Sequence, residues 1–365
     1  MTLVAFGTYD SAKHPRIGIV VDGLRERGAD VRELNRPLGF STAERVRMLQ
    51  QPWRLPALGW RLLARWTALA RDARALRRDE GEPDAVLVGY LGHFDVLLAR
   101  RLFRRSAIVL DHLVFAGDTA EDRGAAGVRV RLLRALDRRA IASADIVLVD
   151  TEEHEAMLPE GARGVHVPVG ARAEWFAARR PEPADDRPLS LVFFGLFTPL
   201  QGAVVIAEAI AAARAAGADF TATIVGTGQD HAAARAIAGD VEGVRWVDWV
   251  APDALPALVA AHDVCLGIFG ESGKALRVVP NKVYEGSAAG CAIVTSDTPP
   301  QRAALGDAAV LTPPGDAAAL ADAIADLSRD RSRVAELRAA ASAASQRYRA
   351  AEIVAPLAAR LRDLA

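Results

Sequence analysis

Short apolar runs alternate with amphipathic stretches along most of this 365-residue chain. In the first half the apolar runs read TLVAFG, AVLVGY, AIVLDH and ADIVLVD, and in the second half SLVFFG, FTATIVG, DVCLGIF, AIVTSD and AVLTPP. Runs that are apolar at nearly every position are typical of parallel strands covered on both faces. Because these runs alternate with helical patterns, the sequence predicts an α/β fold in which the same alternation occurs twice.

A Pro-rich, charged segment separates the two halves. It contains the letters RRPEPADDRP, and we interpret residues 176–188 as a linker. The chain then divides into an N-terminal domain at 1–175, a C-terminal domain at 189–340 and a final Ala- and Arg-rich helix at 341–365. A chain of this length is expected to form two domains of ordinary size, each with its own core.

The composition is that of a globular protein, with 51% hydrophobic and 25% charged residues. A formal net charge of −1 argues against a nucleic-acid-binding surface. Cys265 and Cys291 lie in apolar runs, so we expect buried free thiols in a reducing compartment. The N-terminus lacks the basic segment of a signal peptide, and no apolar run is long enough to cross a bilayer. These features predict a cytoplasmic protein.

The segment 267–297, GIFGESGKALRVVPNKVYEGSAAGCAIVTSD, carries the clearest candidate chemistry. A strand ends before a loop, and a helix is predicted to begin at Pro280 and Asn281, where proline suits the first turn. A helix start with cations and a carboxylate favours an anion that also carries hydroxyls, such as a nucleotide sugar. A solvated basic loop is the alternative. The candidate donor-binding residues here are Lys274, Arg277, Asn281, Lys282 and Glu285.

This segment resembles the donor-binding region of retaining glycosyltransferases of family 4, in which a Pro-x-Lys-x-x-Glu helix precedes an apolar strand. Weaker similarity extends to residues 5–16, 193–210 and 224–230. The resemblance implies two Rossmann-like domains facing across a cleft (GT-B type), with the last helix packing back on the first domain. It also implies retaining transfer of a sugar from a nucleotide-diphosphate sugar to an acceptor hydroxyl, in polysaccharide, glycolipid or natural-product glycosylation.

Two departures from the family's pattern concern the donor site. The resemblance assigns Glu285 to the ribose as the second glutamate of a Glu-x7-Glu motif, but Arg277 stands eight residues earlier. Leu196 and Gln201 stand where the family commonly has cations for the diphosphate. We interpret this as a phosphate clamp relocated to the loop with Lys274 and Arg277. The alternative is a catalytically degenerate, glycosyltransferase-like binding subunit of a synthase complex.

The run IVGTGQD contributes two further candidate donor-binding residues, Gly226 and Gly228, which by resemblance line the nucleotide cleft. A lone Gly-x-Gly is a weak signal, and His231 breaks the longer dinucleotide fingerprint. That break argues against a nicotinamide-dependent oxidoreductase. Trp249 is a candidate surface for stacking the base, with core packing as the alternative.

Metal is not expected in this chain. No Asp-x-Asp triplet occurs, and the histidines lack the spacing of metal ligands. Lysine and arginine cations can replace Mg²⁺ in stabilising a departing diphosphate. The predicted reaction is therefore metal-independent, with the nucleotide sugar as substrate and no cofactor.

In the N-terminal half, candidate residues follow the carboxyl ends of predicted strands, the edge at which doubly wound folds bind ligands. Gly7 follows the first strand and is a candidate for the donor. His93 and His112 follow later strands and are candidates for the reaction centre. The family often places a functional histidine where His112 stands, so His112 is preferred. A hydrogen-bonded structural role is the alternative for either histidine.

Candidate acceptor-binding residues lie in two loops. Arg16, together with Lys13 and His14, follows the first strand and could serve the acceptor or the diphosphate. Asp118 and Asp122 lie in the sequence GDTAEDR and could bind acceptor hydroxyls, although a solvated acidic loop is the alternative.

Segment 41–78 interleaves Trp53, Trp60 and Trp66 with arginines. Tryptophan beside arginine on an amphipathic helix suits a headgroup interface, so peripheral contact with the cytoplasmic face of a membrane and docking of a lipid-linked acceptor are predicted. The alternative is a helix with its tryptophans packed into the core.

Overall fold

The computed structural model describes residues 1–10, 15–39, 55–122, 124–180 and 187–364. The chain forms two compact units. The first comprises Met1–Pro168 with Ile353–Ala365, and the second comprises Val169–Glu352. The change of unit at Val169 precedes the segment 176–188 that we expected as the linker. Residues 11–14 and 41–54, which include Lys13, His14 and Trp53, lie outside the described residues.

The first unit is built on a six-stranded, fully parallel sheet with strand order β2-β1-β3-β4-β5-β6. Its strands are β1 Thr2–Gly7, β2 Asp30–Asn35, β3 Ala85–Val88, β4 Ala107–Asp111, β5 Ile146–Val149 and β6 Gly164–His166. Its helices are α1 Arg16–Glu26, α2 Leu55–Asp79, α3 Asp95–Leu102, α4 Ala116–Asp122, α5 Val128–Ile141 and α6 Glu152–Ala156.

The core of the first unit lies between the central strands and the helices that cross over them. Phe6 of β1 packs edge-on against Phe103, which follows α3, with ring centroids 5.8 Å apart. Leu69 of α2 is fully buried in the same cluster, beside Val86 and Val88 of β3. Burying a large apolar side chain contributes about 1.5–3 kcal/mol, so these contacts hold the helices on the sheet. The predicted strands are therefore covered, as their continuous apolar runs require.

The second unit repeats the architecture with a six-stranded parallel sheet of order β12-β11-β10-β7-β8-β9. Its strands are β7 Leu189–Phe194, β8 Phe220–Val225, β9 Val244–Val247, β10 Val264–Leu266, β11 Ala292–Ser296 and β12 Ala309–Thr312. Its helices are α7 Ala173–Ala177, α8 Ala203–Ala215, α9 His231–Ala238, α10 Leu255–Ala260, α11 Asn281–Ala288, α12 Pro299–Leu305, α13 Ala317–Arg329 and α14 Arg331–Ser345. Short 3₁₀ helices lie at Pro199–Gln201, Ala275–Arg277, Gly306–Ala308 and Gln346–Tyr348.

The end of the chain differs from the single helix expected at 341–365. After α14 come the 3₁₀ helix Gln346–Tyr348, then α15 Ala350–Ile353 and α16 Ala355–Arg362. Tyr348 anchors the break, since its buried hydroxyl donates to the carbonyl of Ala304 at 2.7 Å. Pro356 lies in the first turn of α16, and proline in that place favours a new helix start over continuation of an old one.

Two other features of the fold bear on the predictions. Cys265 and Cys291 are buried free thiols, as predicted. Among the residues that the structure describes, no helix is long and apolar enough to span a membrane.

Candidate functional site

The candidate donor residues of the second unit gather at the carboxyl edge of its sheet. The loop 195–202 joins β7 to α8, and the loop after β10 leads to α11. The two loops are tied together, because the N–H of Phe269 donates to the carbonyl of Gln201 at 3.1 Å. Gly202 lies so close to Phe269 that an added Cβ would approach its carbonyl carbon to 2.6 Å. This contact holds the start of α8 beside the loop that carries the predicted cations.

Lys282, in the first turn of α11, points its side chain into this edge. Its side chain is 4% exposed, and Nζ lies 3.8 Å from the ring centroid of Phe193. Nζ donates to Oε1 of Gln201 and lies beside the backbone of Gly195. Within the described part of the chain, no carboxylate forms an ion pair with Lys282. Burial is the main reason that the pKa of Lys282 falls to about 7, against opposing effects of Cys265 and Glu285.

Glu285 lies three residues further along α11 and is partly buried. Burial raises the pKa of its carboxyl to about 7; Lys282 opposes the rise and Glu174 adds to it. The sequence placed Lys282 and Glu285 on one face of a helix, and α11 has that geometry. The pair thus joins an amine and a carboxyl that both titrate near neutrality, which is a frequent property of functional sites.

The remaining candidate cations lie before α11. Lys274 precedes the 3₁₀ helix Ala275–Arg277, and Arg277 ends it; both side chains are partly exposed. Asn281 is the first residue of α11. Glu271 packs against Gly315 in the loop after β12, where an added Cβ would lie 2.3 Å from its Cδ.

The glycines of the Gly-x-Gly turn are required by close backbone packing. Gly226 has φ +128°, and an added Cβ would lie 1.9 Å from the carbonyl oxygen of Gly195. Gly228 has φ +155°, and an added Cβ would lie 2.5 Å from the carbonyl oxygen of Phe197. No side chain fits at either position without moving this backbone. The turn therefore supports loop 195–202, the same loop that faces Lys282.

In the first unit, both candidate histidines are buried at the carboxyl edge of the sheet. Nε2 of His93 donates to Oδ1 of Asp137 at 2.8 Å. The rings of His93 and His112 meet edge to face with centroids 5.1 Å apart, and the ring of Phe115 packs edge to face against His112 at 4.6 Å. Nε2 of His112 lies 3.9 Å from Oδ1 of Asp137 and has no hydrogen-bond partner among the residues that the structure describes. The structure thus brings the two histidines together around a carboxylate that the sequence reading missed.

The other candidates of the first unit have distinct surroundings. Arg16, the first residue of α1, is 2% exposed and donates from Nε to Asp111 at 2.7 Å, in a buried ion pair. Gly7 has φ +146° and lies beside the carboxylate of Asp95. Asp118 lies in the first turn of α4 and Asp122 ends that helix, both partly buried.

Asp95 is a further residue that sequence reasoning missed. Oδ2 accepts from the backbone N–H and the hydroxyl of Thr8, at 2.7 and 2.8 Å, and Oδ1 accepts from Nε1 of Trp66 at 2.8 Å. It therefore joins the loop after β1 to α2. No sequence motif marks it, because its partners lie far away in the chain.

One group of side chains has the composition of a metal site. The ligand atoms of His93, His112 and Asp137 all lie within 4.8 Å of one another. Both oxygens of Asp137, however, already accept backbone N–H groups, from Ala116 at 2.9 Å and Gly117 at 3.0 Å. The carboxylate is thus engaged in holding the start of α4.

Residues 188–330 match a family described as "Glycosyl transferases group 1". Across the whole chain, the fold is similar to that of sucrose-phosphate synthase from Thermosynechococcus elongatus, with TM-score 0.71, 16% identity and coverage of 100% of this chain and 99% of the other. It is also similar to Anabaena HepE in complex with UDP-glucose, with TM-score 0.66, 16% identity and 99% of both chains covered.

A third similar structure is a glycosyltransferase from Rickettsia africae, with TM-score 0.66, 10% identity and coverage of 100% of this chain and 98% of the other. Comparison with curated protein sequences finds no significant match. The predicted fold class is confirmed: this is an α/β protein of GT-B type with two parallel, Rossmann-like sheets.

Proposed function

We propose that this protein is a glycosyltransferase that moves a sugar from a nucleotide-diphosphate sugar to an acceptor hydroxyl. The observation that carries the proposal is the buried amine of Lys282, which no carboxylate pairs among the described residues. A buried cation is costly unless an anion or hydrogen bonds compensate it, and a diphosphate supplies both. The site lies inside the region that matches the glycosyltransferase family, and the similar HepE structure contains UDP-glucose.

Each donor residue has a role in this proposal. Lys282 binds the diphosphate, assisted by Lys274 and Arg277 from the preceding loop. Glu285 binds the ribose hydroxyls, and Asn281 contributes at the start of α11. Gly226 and Gly228 act through the backbone, because they let their turn approach the loop before α8. Together these groups stabilise the leaving diphosphate.

The finer mechanism is part of the same proposal. The reaction retains the configuration of the sugar, and a phosphate oxygen of the donor takes the proton of the attacking hydroxyl. It needs no metal, since lysine and arginine stabilise the negative charge that develops on the diphosphate. In the first unit, His112 contacts the reacting sugar, Gly7 contributes to donor binding, and Arg16, Asp118 and Asp122 serve the acceptor. A hexose donor and a lipid-linked or small-molecule acceptor complete the assignment.

The first test is thermal stabilisation by nucleotides in the absence of metal. We expect UDP, GDP, ADP, dTDP or CMP, or one of their sugars, to raise Tm by several degrees, because a ligand at about 100 times its Kd contributes ~2.7 kcal/mol. Glu285→Ala should lose this response. Glu336→Ala, which removes an exposed carboxylate of α14, should keep it.

The outcomes separate the two functions that the sequence left open. Stabilisation by one base, followed by sugar transfer, supports the enzyme. Stabilisation without transfer to any acceptor favours the degenerate binding subunit, which the neutral Gln201 and the exposed Leu196 in loop 195–202 also favour. If no nucleotide or nucleotide sugar raises Tm, although the protein shows an intact unfolding transition, the proposed donor site is contradicted.

Peripheral membrane contact through the described part of segment 41–78 belongs to the proposal. The second half of α2 packs into the core at Leu69, whereas Trp60 and Leu63 are 72% and 52% exposed. Exposed tryptophan and leucine among arginines suit the headgroup region of a bilayer at the cytoplasmic face. The second half of α2 is thus packed into the core, and the exposure of its first half supports the proposed contact with lipid.

Vesicle sedimentation tests this contact. With vesicles of phosphatidylcholine and phosphatidylglycerol, Trp60→Ser is expected to reduce the bound fraction several-fold, because it removes a large apolar group from the interface. Trp249→Ser is the matched control, since Trp249 of the second unit is also 72% exposed. Equal binding of both variants would contradict the contact.

A further inference from the structure

The acidic residue Asp137 stands out on an otherwise basic helix. Helix α5 has the sequence VRVRLLRALDRRAI, in which Asp137 is the one carboxylate among many arginines. A carboxylate on such a helix is expected to pair with a neighbouring arginine in water. Asp137 instead is 5% exposed, and no ion pair to an arginine is found for it among the described residues. The carboxylate of Asp137 is therefore buried inside the unit, where other groups must compensate its charge.

Inside the unit, the carboxylate of Asp137 accepts three hydrogen bonds. Oδ1 accepts from Nε2 of His93 at 2.8 Å and from the N–H of Ala116 at 2.9 Å. Oδ2 accepts from the N–H of Gly117 at 3.0 Å. Ala116 and Gly117 begin α4, whose first N–H groups have no partner within the helix. One side chain therefore joins the ring of His93 to the helix that carries Asp118 and Asp122.

The hydrogen bond to Asp137 determines the tautomer of His93. An ionised carboxylate only accepts hydrogen bonds, so Nε2 of His93 must carry the hydrogen. His112 is left in a different state. Its Nε2 is buried, lies 3.9 Å from the same carboxylate oxygen and finds no hydrogen-bond partner in the described part of the chain. A buried ring nitrogen without a partner is costly, and a bound hydroxyl would satisfy it.

We propose that Asp137 is a positioning residue: it holds His93 in the Nε2–H form and fixes the start of α4, and thereby leaves Nε2 of His112 as the ring nitrogen that meets a sugar hydroxyl. The part about Asp137 and His93 stands on geometry alone. The part about the sugar rests on the proposed function. Asp137 acts through other groups and does not touch the substrate.

The charges around the cluster are consistent with this role. Burial, His93 and His154 lower the pKa of His112 to about 3, although Asp137 opposes them. Burial favours a higher pKa for Asp137, but hydrogen bonds from His93, Gly117 and Ala116 outweigh it and the net pKa is lowered. On the far side of Phe115, His154 is paired with Asp150 at 2.6 Å. At neutral pH the cluster therefore contains an ionised Asp137 and a neutral His112.

The direct test reads the histidine tautomers in the full chain. Long-range ¹H–¹⁵N spectra of protein labelled in its histidines should show His93 as the Nε2–H form, and Asp137→Asn should move it to a mixture of tautomers. The same variant should lower kcat about 100-fold, while KM for the donor changes less than about two-fold. An unchanged tautomer of His93 in Asp137→Asn overturns the proposal.

The matched control is Asp145→Asn in the same unit. The carboxylate of Asp145 also accepts a backbone N–H, from Ile108 at 2.7 Å, and pairs with Arg100, but it lies at the opposite edge of the sheet. This variant should leave the tautomer of His93 and kcat unchanged. If it shifts the tautomer as much as Asp137→Asn does, the effect is a general loosening of the unit and the proposal fails.

A second variant keeps the test decisive if Asp137→Asn does not fold. His93→Gln retains an amide N–H that can donate to Asp137, so it should lose less turnover than His112→Gln. Equal loss in both variants would make His93 itself the reacting group and would overturn the proposal. Stoichiometric metal in the purified protein, lost in Asp137→Asn, would do the same.

Failure of the proposed function is recognised separately. The tautomer of His93 is read without donor, acceptor or turnover. If no nucleotide raises Tm but Asp137→Asn still shifts the tautomer of His93, the proposed positioning of His93 stands. Only the proposed contact with a sugar hydroxyl would then be contradicted.

Discussion

Replacing Lys282 by methionine is expected to weaken binding of the responsive nucleoside diphosphate about 10- to 100-fold, since a charge-assisted contact contributes about 1.5–3 kcal/mol. The same substitution should raise the stability of the unliganded protein. Methionine has a similar length and needs no counter-charge, so the substitution removes the cost of burying an amine that no carboxylate pairs among the described residues. Isothermal titration and calorimetric unfolding measure the two effects on one preparation.

Opposite signs for binding and stability distinguish a functional cation from a structural one. Arg333→Met on α14 is the control, since that guanidinium is half-exposed and pairs with Glu336 three residues on. It should change neither the affinity nor the Tm. If Lys282→Met instead lowers Tm, the amine serves the fold, and the donor site would have to be sought elsewhere.

The dependence of stability on pH provides a further check on Lys282. Between its folded pKa of about 7 and its ordinary value of 10.5, the unfolded chain holds a proton that the folded chain has lost. Stability therefore rises with pH in this window. Glu285 acts in the opposite sense: between 4.5 and about 7 the folded chain holds the extra proton, and stability falls as pH rises. Together the two groups should give a minimum in the free energy of unfolding near pH 7. Lys282→Met should lack the rise in stability above pH 7.

Replacing His112 by glutamine is expected to reduce kcat about 100- to 1000-fold while the affinity for the nucleoside diphosphate stays unchanged. The reason is that His112 lies in the first unit. Its Nε2, which has no hydrogen-bond partner within the described ranges, is proposed to act on the reacting sugar and not on the nucleotide. Steady-state kinetics and titration with the diphosphate separate the two quantities. This pattern is the reverse of that expected for Lys282.

His166→Gln is the matched control for His112. His166 also lies in the first unit, but it is exposed and its Nε2 bonds the carbonyl of Asp150 at 2.8 Å. It should retain full turnover. Full turnover in His112→Gln as well would show that His112 is a structural histidine, which is the alternative that the sequence left open.

Much of the fold could be predicted because its signals are local. Continuous apolar runs such as AVLVGY and AIVTSD identified strands covered on both faces, and those strands lie in the two parallel sheets. The start of α11 at Asn281, after Pro280, is likewise a local property of proline. The end of the chain was predicted less well, because its division into short helices depends on where Tyr348 finds a partner.

The residues of the candidate site also differ in whether local sequence signals could identify them. The sequence identified Lys282, Glu285, His93 and His112 as residues of suitable chemistry in suitable places. It did not identify Asp137, which belongs to no recognisable motif, and it marked Gln201 only as a departure from the family's pattern. Gln201 accepts from Nζ of Lys282 and Asp137 accepts from Nε2 of His93, and both contacts cross long separations in the chain.

The sequence by itself therefore determined the fold class, the order of strands and helices along the chain, and the types of side chain at the ends of its strands. These follow from the periodicity and chemistry of neighbouring residues. Only the tertiary structure decided that Lys282 is buried without a carboxylate partner among the described residues and that Asp137 turns away from the arginines of its helix. Burial and partnership depend on residues brought together from distant parts of the chain, and they set the protonation and orientation of each group.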